Sequence, residues 1–196
     1  MINTLRMVRL AAVAALVLLL AATGFVLWNG QKPALGYGSA PATFQLASMN
    51  GGRFDTASLS GKPYALFFGF THCPDICPTT MQDMTDTLVA LGPIAKEFTV
   101  LFVSIDPERD TPDLLKTYLS AFDSRLLGLS GTQAEIDVLI KANGIFVEKV
   151  GTGESATYNH TASVLLFDKT GLLAGTIGSA DTPDTRQAKI KRLIAG

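Results

Sequence analysis

Apolar residues are laid out along this chain in three different ways. From Leu10 to Trp28 they run without a charged residue. At about 1.5 Å per helical residue, that run approaches the thickness of a bilayer core. At residues 62–70 and 98–106 they form short, nearly continuous blocks, as strands do when both faces are covered. Elsewhere they recur at helical spacing. Met81, Met84, Leu88 and Leu91 predict a helix from about Pro78 to Leu91, and Leu114, Leu115, Tyr118 and Leu119 predict a second. Thr111 caps that second helix, with Pro112 at its first position. Thr132 and Glu135 form a capping box for a third, which runs to about Asn143 and ends at Gly144.

The remaining segments alternate or turn. Residues 44–47 alternate, Asn50-Gly51-Gly52 turns, and residues 53–55 return, which predicts a hairpin at the entrance of the domain. Short strands are expected at 126–129 and 145–150, with a polar loop over 151–159. A second hairpin is expected from 163–168 and 172–177, and Thr182-Pro183 opens a last helix. Strands alternating with helices, then a hairpin and a helix, predict an α/β domain of three layers. The order βαβαβαββα resembles a thioredoxin-like fold with an added N-terminal β-hairpin. A stretch rich in Gly, Pro, Ser and Ala precedes it. The expected organisation is therefore a cytoplasmic tail and one transmembrane helix at 1–29, a linker at 30–41 and the folded domain at 42–196.

Charge sets the orientation of the apolar segment. Arg6 and Arg9 precede it and Lys32 follows, so the N-terminus is expected in the cytoplasm and the domain across the membrane. Trp28 sits where an interfacial aromatic would anchor the far end. The competing reading is a cleaved signal peptide, with Ala21-Ala22-Thr23-Gly24 small enough for a peptidase. Either reading exports the domain, which points to a single-pass inner-membrane protein with a periplasmic domain. The net charge is −1 with 17% charged residues, so no global field draws the chain to nucleic acid. A monomeric domain is expected.

The chain has two cysteines, Cys73 and Cys77. A disulfide between them would close so small a loop that it would remove little unfolded-state entropy, a poor staple. Redox chemistry or metal binding explains them better. They follow the first buried strand and precede a helix, the edge of an α/β sheet where ligands bind. Cys77 is expected near the helix N-terminus, whose partial positive charge favours a thiolate. Side chains four apart on a helical turn point the same way, so the two sulfurs can share a metal or pair. The chain has two histidines. His72 is expected to diverge from the sulfurs, whereas His160 precedes a strand that neighbours the first buried one. Two sulfurs and a nitrogen suit Cu(I), accept Cu(II) and also suit zinc with water. A thioredoxin oxidoreductase clamps peptide against a proline facing its cysteines, but this chain has no proline from Asp113 to Thr182.

Three segments then converge on one family. Residues 69–78 (GFTHCPDICP) resemble the signature of the Sco/SenC family, residues 104–112 (SIDPERDTP) resemble its second motif, and Tyr158-Asn159-His160-Thr161 stands where that family has its copper-ligand histidine. The resemblance covers roughly residue 42 to the C-terminus. It implies one copper ion per chain, Cu(I) or Cu(II), held by Cys73, Cys77 and His160. It also implies a chaperone that helps assemble the binuclear copper centre of cytochrome c oxidase. The implied partners are the copper-bearing oxidase subunit or another copper chaperone. Some members act as thiol-disulfide reductases, with Cys73 and Cys77 as the redox pair. On this reading the protein is a binding protein rather than an enzyme. One departure is Asn159, where the family often has Asp.

Other residues have plainer expectations. Asp106 is either a turn residue before Pro107 or a group that touches the site indirectly. Asp75 is expected to face solvent. Met81 and Met84 are expected in the core rather than as copper thioethers. Arg186, Lys189, Lys191 and Arg192 are expected on a solvated helix face. A thiol peroxidase would need an arginine beside its thiolate, and none lies close to the cysteines in sequence.

Overall fold

The structure is a computed structural model. It describes residues 43–196, together with scattered positions between 3 and 23 that are helical. Two compact units divide the chain, Met1–Gly36 and Tyr37–Gly196. The expected membrane anchor and the linker fall largely outside the described residues. Among those described, no helix is long and apolar enough to cross a membrane.

In chain order the second unit contains β1 (Gln45–Ser48), β2 (Arg53–Asp55), β3 (Tyr64–Gly69), α1 (Ile76–Leu91), β4 (Thr99–Ser104), α2 (Pro112–Leu119), β5 (Leu126–Ser130), α3 (Gln133–Ala142), β6 (Val147–Val150), β7 (Thr157–His160), β8 (Val164–Phe167), β9 (Leu173–Ile177) and α4 (Pro183–Ala195). A seven-stranded sheet runs β2-β1-β5-β4-β3-β8-β9. The predicted apolar blocks form its centre. β3 and β4 pair in parallel from Tyr64 opposite Thr99 to Gly69 opposite Ser104. Every residue of β3 is buried, so both faces of the sheet are covered. Phe67, Phe68, Phe70, Phe98 and Phe102 fill the core around these strands. Gly128 allows α2 to lie close on β5, because a Cβ there would come within 3.0 Å of Leu115 Cβ and 2.9 Å of Leu119 Cδ1.

The capping expectations hold. Thr111 Oγ1 accepts from Leu114 N. Thr132 and Glu135 form the reciprocal capping box of α3, and Gly144 takes a positive φ just beyond that helix. The N-terminal hairpin is not an isolated appendage. β1 pairs antiparallel with β5 and extends the main sheet.

Three expectations need correction. Helix α1 starts at Ile76 rather than Pro78, so Pro78 lies in the first turn, where its missing N–H costs nothing. Residues 151–159 are not one polar loop. They contain a single 3-10 turn at Gly153–Ser155 and then β7, which folds back on β6 as a separate two-stranded ribbon outside the main sheet. Finally, Arg186 is not on a solvated face. It is 7% exposed and donates to Asp83 Oδ1 of α1 at 2.8 Å and to the Asp181 carbonyl at 2.7 Å. Lys189 is half-buried on Asp181, whereas Lys191 and Arg192 are exposed as expected. Met81 and Met84 are fully buried core residues.

Candidate metal centre

Parallel strands β3 and β4 end side by side, and the site is built just beyond them. The chain leaves β3 through Phe70 and turns, with Cys73 N donating to the Phe70 carbonyl at 3.2 Å. Cys73 therefore sits in the turn and Cys77 in the first turn of α1. The two are not on one continuous helical face, as the spacing had suggested. Their sulfurs approach because Cys77 N, one of the helix's free N–H groups, donates to Cys73 Sγ at 3.4 Å. Both cysteines are free thiols and buried.

His160 ends β7. Its Nε2 lies 3.5 Å from Cys77 Sγ. Its Nδ1 lies 2.9 Å from the Thr161 carbonyl, an acceptor, so Nδ1 carries the proton and Nε2 presents its lone pair to the sulfur. The edges of Phe67 and Phe70 flank the ring, each with centroids 6.0 Å away. The sulfurs of Cys73 and Cys77 and a ring nitrogen of His160 all lie within 4.8 Å of one another, close enough for one metal ion to bridge them. These are the three residues singled out in the sequence.

Burial sets the electrostatics. Desolvation pushes the Cys77 thiol well above its ordinary range. Cys77 does sit at the helix N-terminus as expected, but the preference for a thiolate expected there is outweighed by burial. That end of the helix is directed at Cys73 Sγ, while Cys77 is 0% exposed. Burial also lowers the His160 pKa, the Thr161 carbonyl opposing it in part, so the imidazole is neutral at pH 7. A neutral imidazole and a thiol that ionises only against a cation suit a metal that displaces the proton.

Gly69, at the end of β3, makes room for this arrangement. A Cβ there would come within 2.7 Å of Phe67 Cε1, 3.0 Å of Phe102 Cε2 and 3.1 Å of Cys77 Sγ. His72 diverges as expected. Its ring is half-exposed, with Nδ1 3.1 Å from Thr71 Oγ1 and 3.8 Å from Asp110 Oδ1. Asn159 points to the opposite side of its strand from His160 and donates to Glu148 Oε2 at 3.1 Å. Asp75 is exposed.

Asp106 is more than a turn residue. It is 1% exposed, accepts from Tyr158 Oη at 3.1 Å, and pairs with Arg109 Nε. Sequence reasoning missed Asp110, which is 0% exposed and accepts from Thr71 N (3.0 Å), Thr71 Oγ1 (2.5 Å) and Ser104 Oγ (2.6 Å). It also missed Tyr158, whose ring meets Phe70 edge-on at 5.2 Å. The alternation of Tyr158 and His160, two residues apart with polar neighbours between and before, was the available signal.

Fold and site together define a thioredoxin-like α/β protein with a dithiol–imidazole centre suited to a soft metal ion. The chain belongs to the SCO1/SenC family, whose model matches residues 36–195. Among solved structures, the copper-bound ScoI of Bradyrhizobium japonicum is 41% identical, with a TM-score of 0.73 over 79% of this chain and 99% of that one. An SCO2-like protein of Rickettsia conorii is 36% identical over 131 residues, 65% of this chain and 64% of that protein. The mitochondrial SCO1 homolog of Homo sapiens is 33% identical over 144 residues, 71% of this chain and 46% of that protein. The chain thus spans just under two thirds of the rickettsial relative and less than half of the human one.

Proposed function

We propose that this protein is a copper metallochaperone that takes one copper ion through Cys73, Cys77 and His160. The observation that carries the reading is the convergence of these three donors within 4.8 Å across distant segments, with His160 Nδ1 held on the Thr161 carbonyl. The copper-bound state of the Bradyrhizobium relative supports it. Copper is the cargo here. Cys73 and Cys77 lose their protons as the cation arrives, and neutral His160 supplies the third donor without releasing one. Because burial penalises a bare thiolate at Cys77, loss of the ion favours prompt reprotonation. Oxidation of the two thiols to a disulfide, with loss of two protons and two electrons to an acceptor disulfide or other oxidant, removes both sulfur ligands and leaves a weak site. Redox state therefore gates loading.

Membrane tethering by residues 10–28, a domain on the far side of the inner membrane and delivery to the binuclear copper centre of cytochrome c oxidase complete the proposal. It rests on the apolar run, its Arg6 and Arg9 flank, and the family.

A second reading is a thiol-disulfide reductase acting on an acceptor copper protein. It is favoured by the two adjacent free thiols and disfavoured by the burial of both sulfurs, which restricts the approach of an acceptor disulfide. Anaerobic Cu(I) titration of the reduced chain against a competing chelator separates the two. The wild-type chain is expected to take one equivalent. Loss of an outer partner of a metal ligand already costs about 10–100-fold in affinity. His160→Ala, which loses the ligand itself, is expected to weaken binding by at least ~10-fold while sparing dithiol-disulfide exchange. Unchanged affinity would refute the ligand set.

A further inference from the structure

The loop between β4 and α2 touches both halves of the site. On one side Asp110 receives Thr71 N and Thr71 Oγ1, two residues before Cys73. On the other side Asp106 receives Tyr158 Oη at 3.1 Å, two residues before His160. Arg109 pairs with Asp106 and donates from Nη2 to the Ala156 carbonyl at 2.8 Å. Glu108 meets Lys149 of β6 at 3.4 Å. A span of five residues thus grips the cysteine turn with one end and the histidine ribbon with the other.

The ribbon needs such a grip. β6 and β7 pair with each other and form a sheet separate from the seven-stranded one, so among the described residues no strand ladder ties His160 to the sheet that carries the cysteine turn. Tyr158 and His160 share one face of β7. Holding the Tyr158 hydroxyl on buried Asp106, with its ring against Phe70, therefore holds the imidazole as well.

We propose that Tyr158 and Arg109 are positioning residues that clamp the ribbon to this loop and set how long the imidazole stays on the metal. This inference rests on the copper reading above and adds a control over its release. Copper bound by three donors is held. When the clamp opens, the ribbon carries His160 away first and leaves a two-sulfur site open to an incoming ligand of the acceptor.

Two substitutions in the full-length chain test this. Tyr158→Phe removes one oxygen and keeps the ring against Phe70. Arg109→Lys keeps the charge beside Asp106 and loses the reach to Ala156. Each protein is loaded anaerobically with one equivalent of Cu(I), and transfer to a chromogenic chelator is timed. A lost hydrogen bond corresponds to a release rate raised ~3- to 10-fold. In the Cu(II) form, nitrogen hyperfine coupling is expected to weaken in both variants. In a His160→Ala background, the same substitutions are expected to leave the release rate unchanged. Release at the wild-type rate in both variants would overturn the clamp, as would equal acceleration without His160. A wild-type chain that takes up no Cu(I) would instead sink the copper reading on which the clamp depends.

Discussion

At the scale of single residues, the site depends on what is absent at one position and neutral at another. Gly69 has no side chain because three groups already occupy the space a Cβ would need, including Cys77 Sγ and the rings of Phe67 and Phe102. Those rings are fully buried and cannot move aside freely. Gly69→Ala is therefore expected to destabilise the apo protein by about 1–3 kcal/mol, the usual range for overpacking. Urea unfolding checks it: the midpoint should fall with the slope unchanged. The same substitution should weaken copper binding, because relief by motion of Cys77 moves a ligand. Asn159 shows the opposite case. In the family the preceding residue is often Asp, yet here it faces Glu148 rather than the sulfurs. The charge it lacks would have stood on the outer side of the ribbon.

At the scale of elements, local chemistry written in the sequence was obeyed wherever it did not depend on distant partners. Thr132 and Glu135 announced their capping box, and Glu135 accepts from Thr132 N at 2.7 Å and from Arg53 Nη2 at 2.8 Å. Those bonds, the Thr132 N–H first, hold the Glu135 carboxyl down at about 2. A carboxylate whose folded pKa is depressed adds stability that is present above its unfolded value and lost as pH falls through the folded one. The cap's contribution is therefore intact above about pH 4.5 and fades from there toward about pH 2. Thr132→Ala is expected to cost about 1 kcal/mol at neutral pH. Glu135→Gln should flatten the acid limb of the stability curve, measured by chemical unfolding at stepped pH. The strands β3 and β4 were equally legible, since burial on both faces leaves an uninterrupted apolar run. β7 was not, because a ribbon wet on one side carries no such run. Its residues Thr157 to His160 are half-buried or exposed in alternation. Asp110 and Arg186 were unreadable for a different reason. An acid between two prolines and an arginine in a basic helix look solvated until the partners Thr71 and Asp83 are brought to them by the fold.

At the scale of the whole molecule, the three candidate ligands differ in how much folding each requires. Cys73 and Cys77 are four residues apart and stay close in any conformation, so an unfolded chain still offers both sulfurs to a metal. His160 is 83 residues from Cys77, and a chain must be folded to present it. Copper bound by the sulfurs alone stabilises the native state little, because the unfolded state binds it as well. The imidazole is the part of the site that converts binding into folding stability. A ligand that binds only the native state at 100 times its dissociation constant adds about 2.7 kcal/mol. For a chain of this size each kcal/mol moves the midpoint by about 2–4 °C, so at that excess the Cu(I)-induced rise is at most roughly 5–10 °C. Anaerobic differential scanning calorimetry of the reduced chain, with and without Cu(I), is expected to show a rise toward that limit in the wild type. His160→Ala should keep a small rise, since the sulfurs still bind in both states, and Cys73→Ser should show almost none. An equal rise in wild type and His160→Ala would mean that the metal is held without the histidine, and that the long-range closure of the site contributes nothing to its hold on copper.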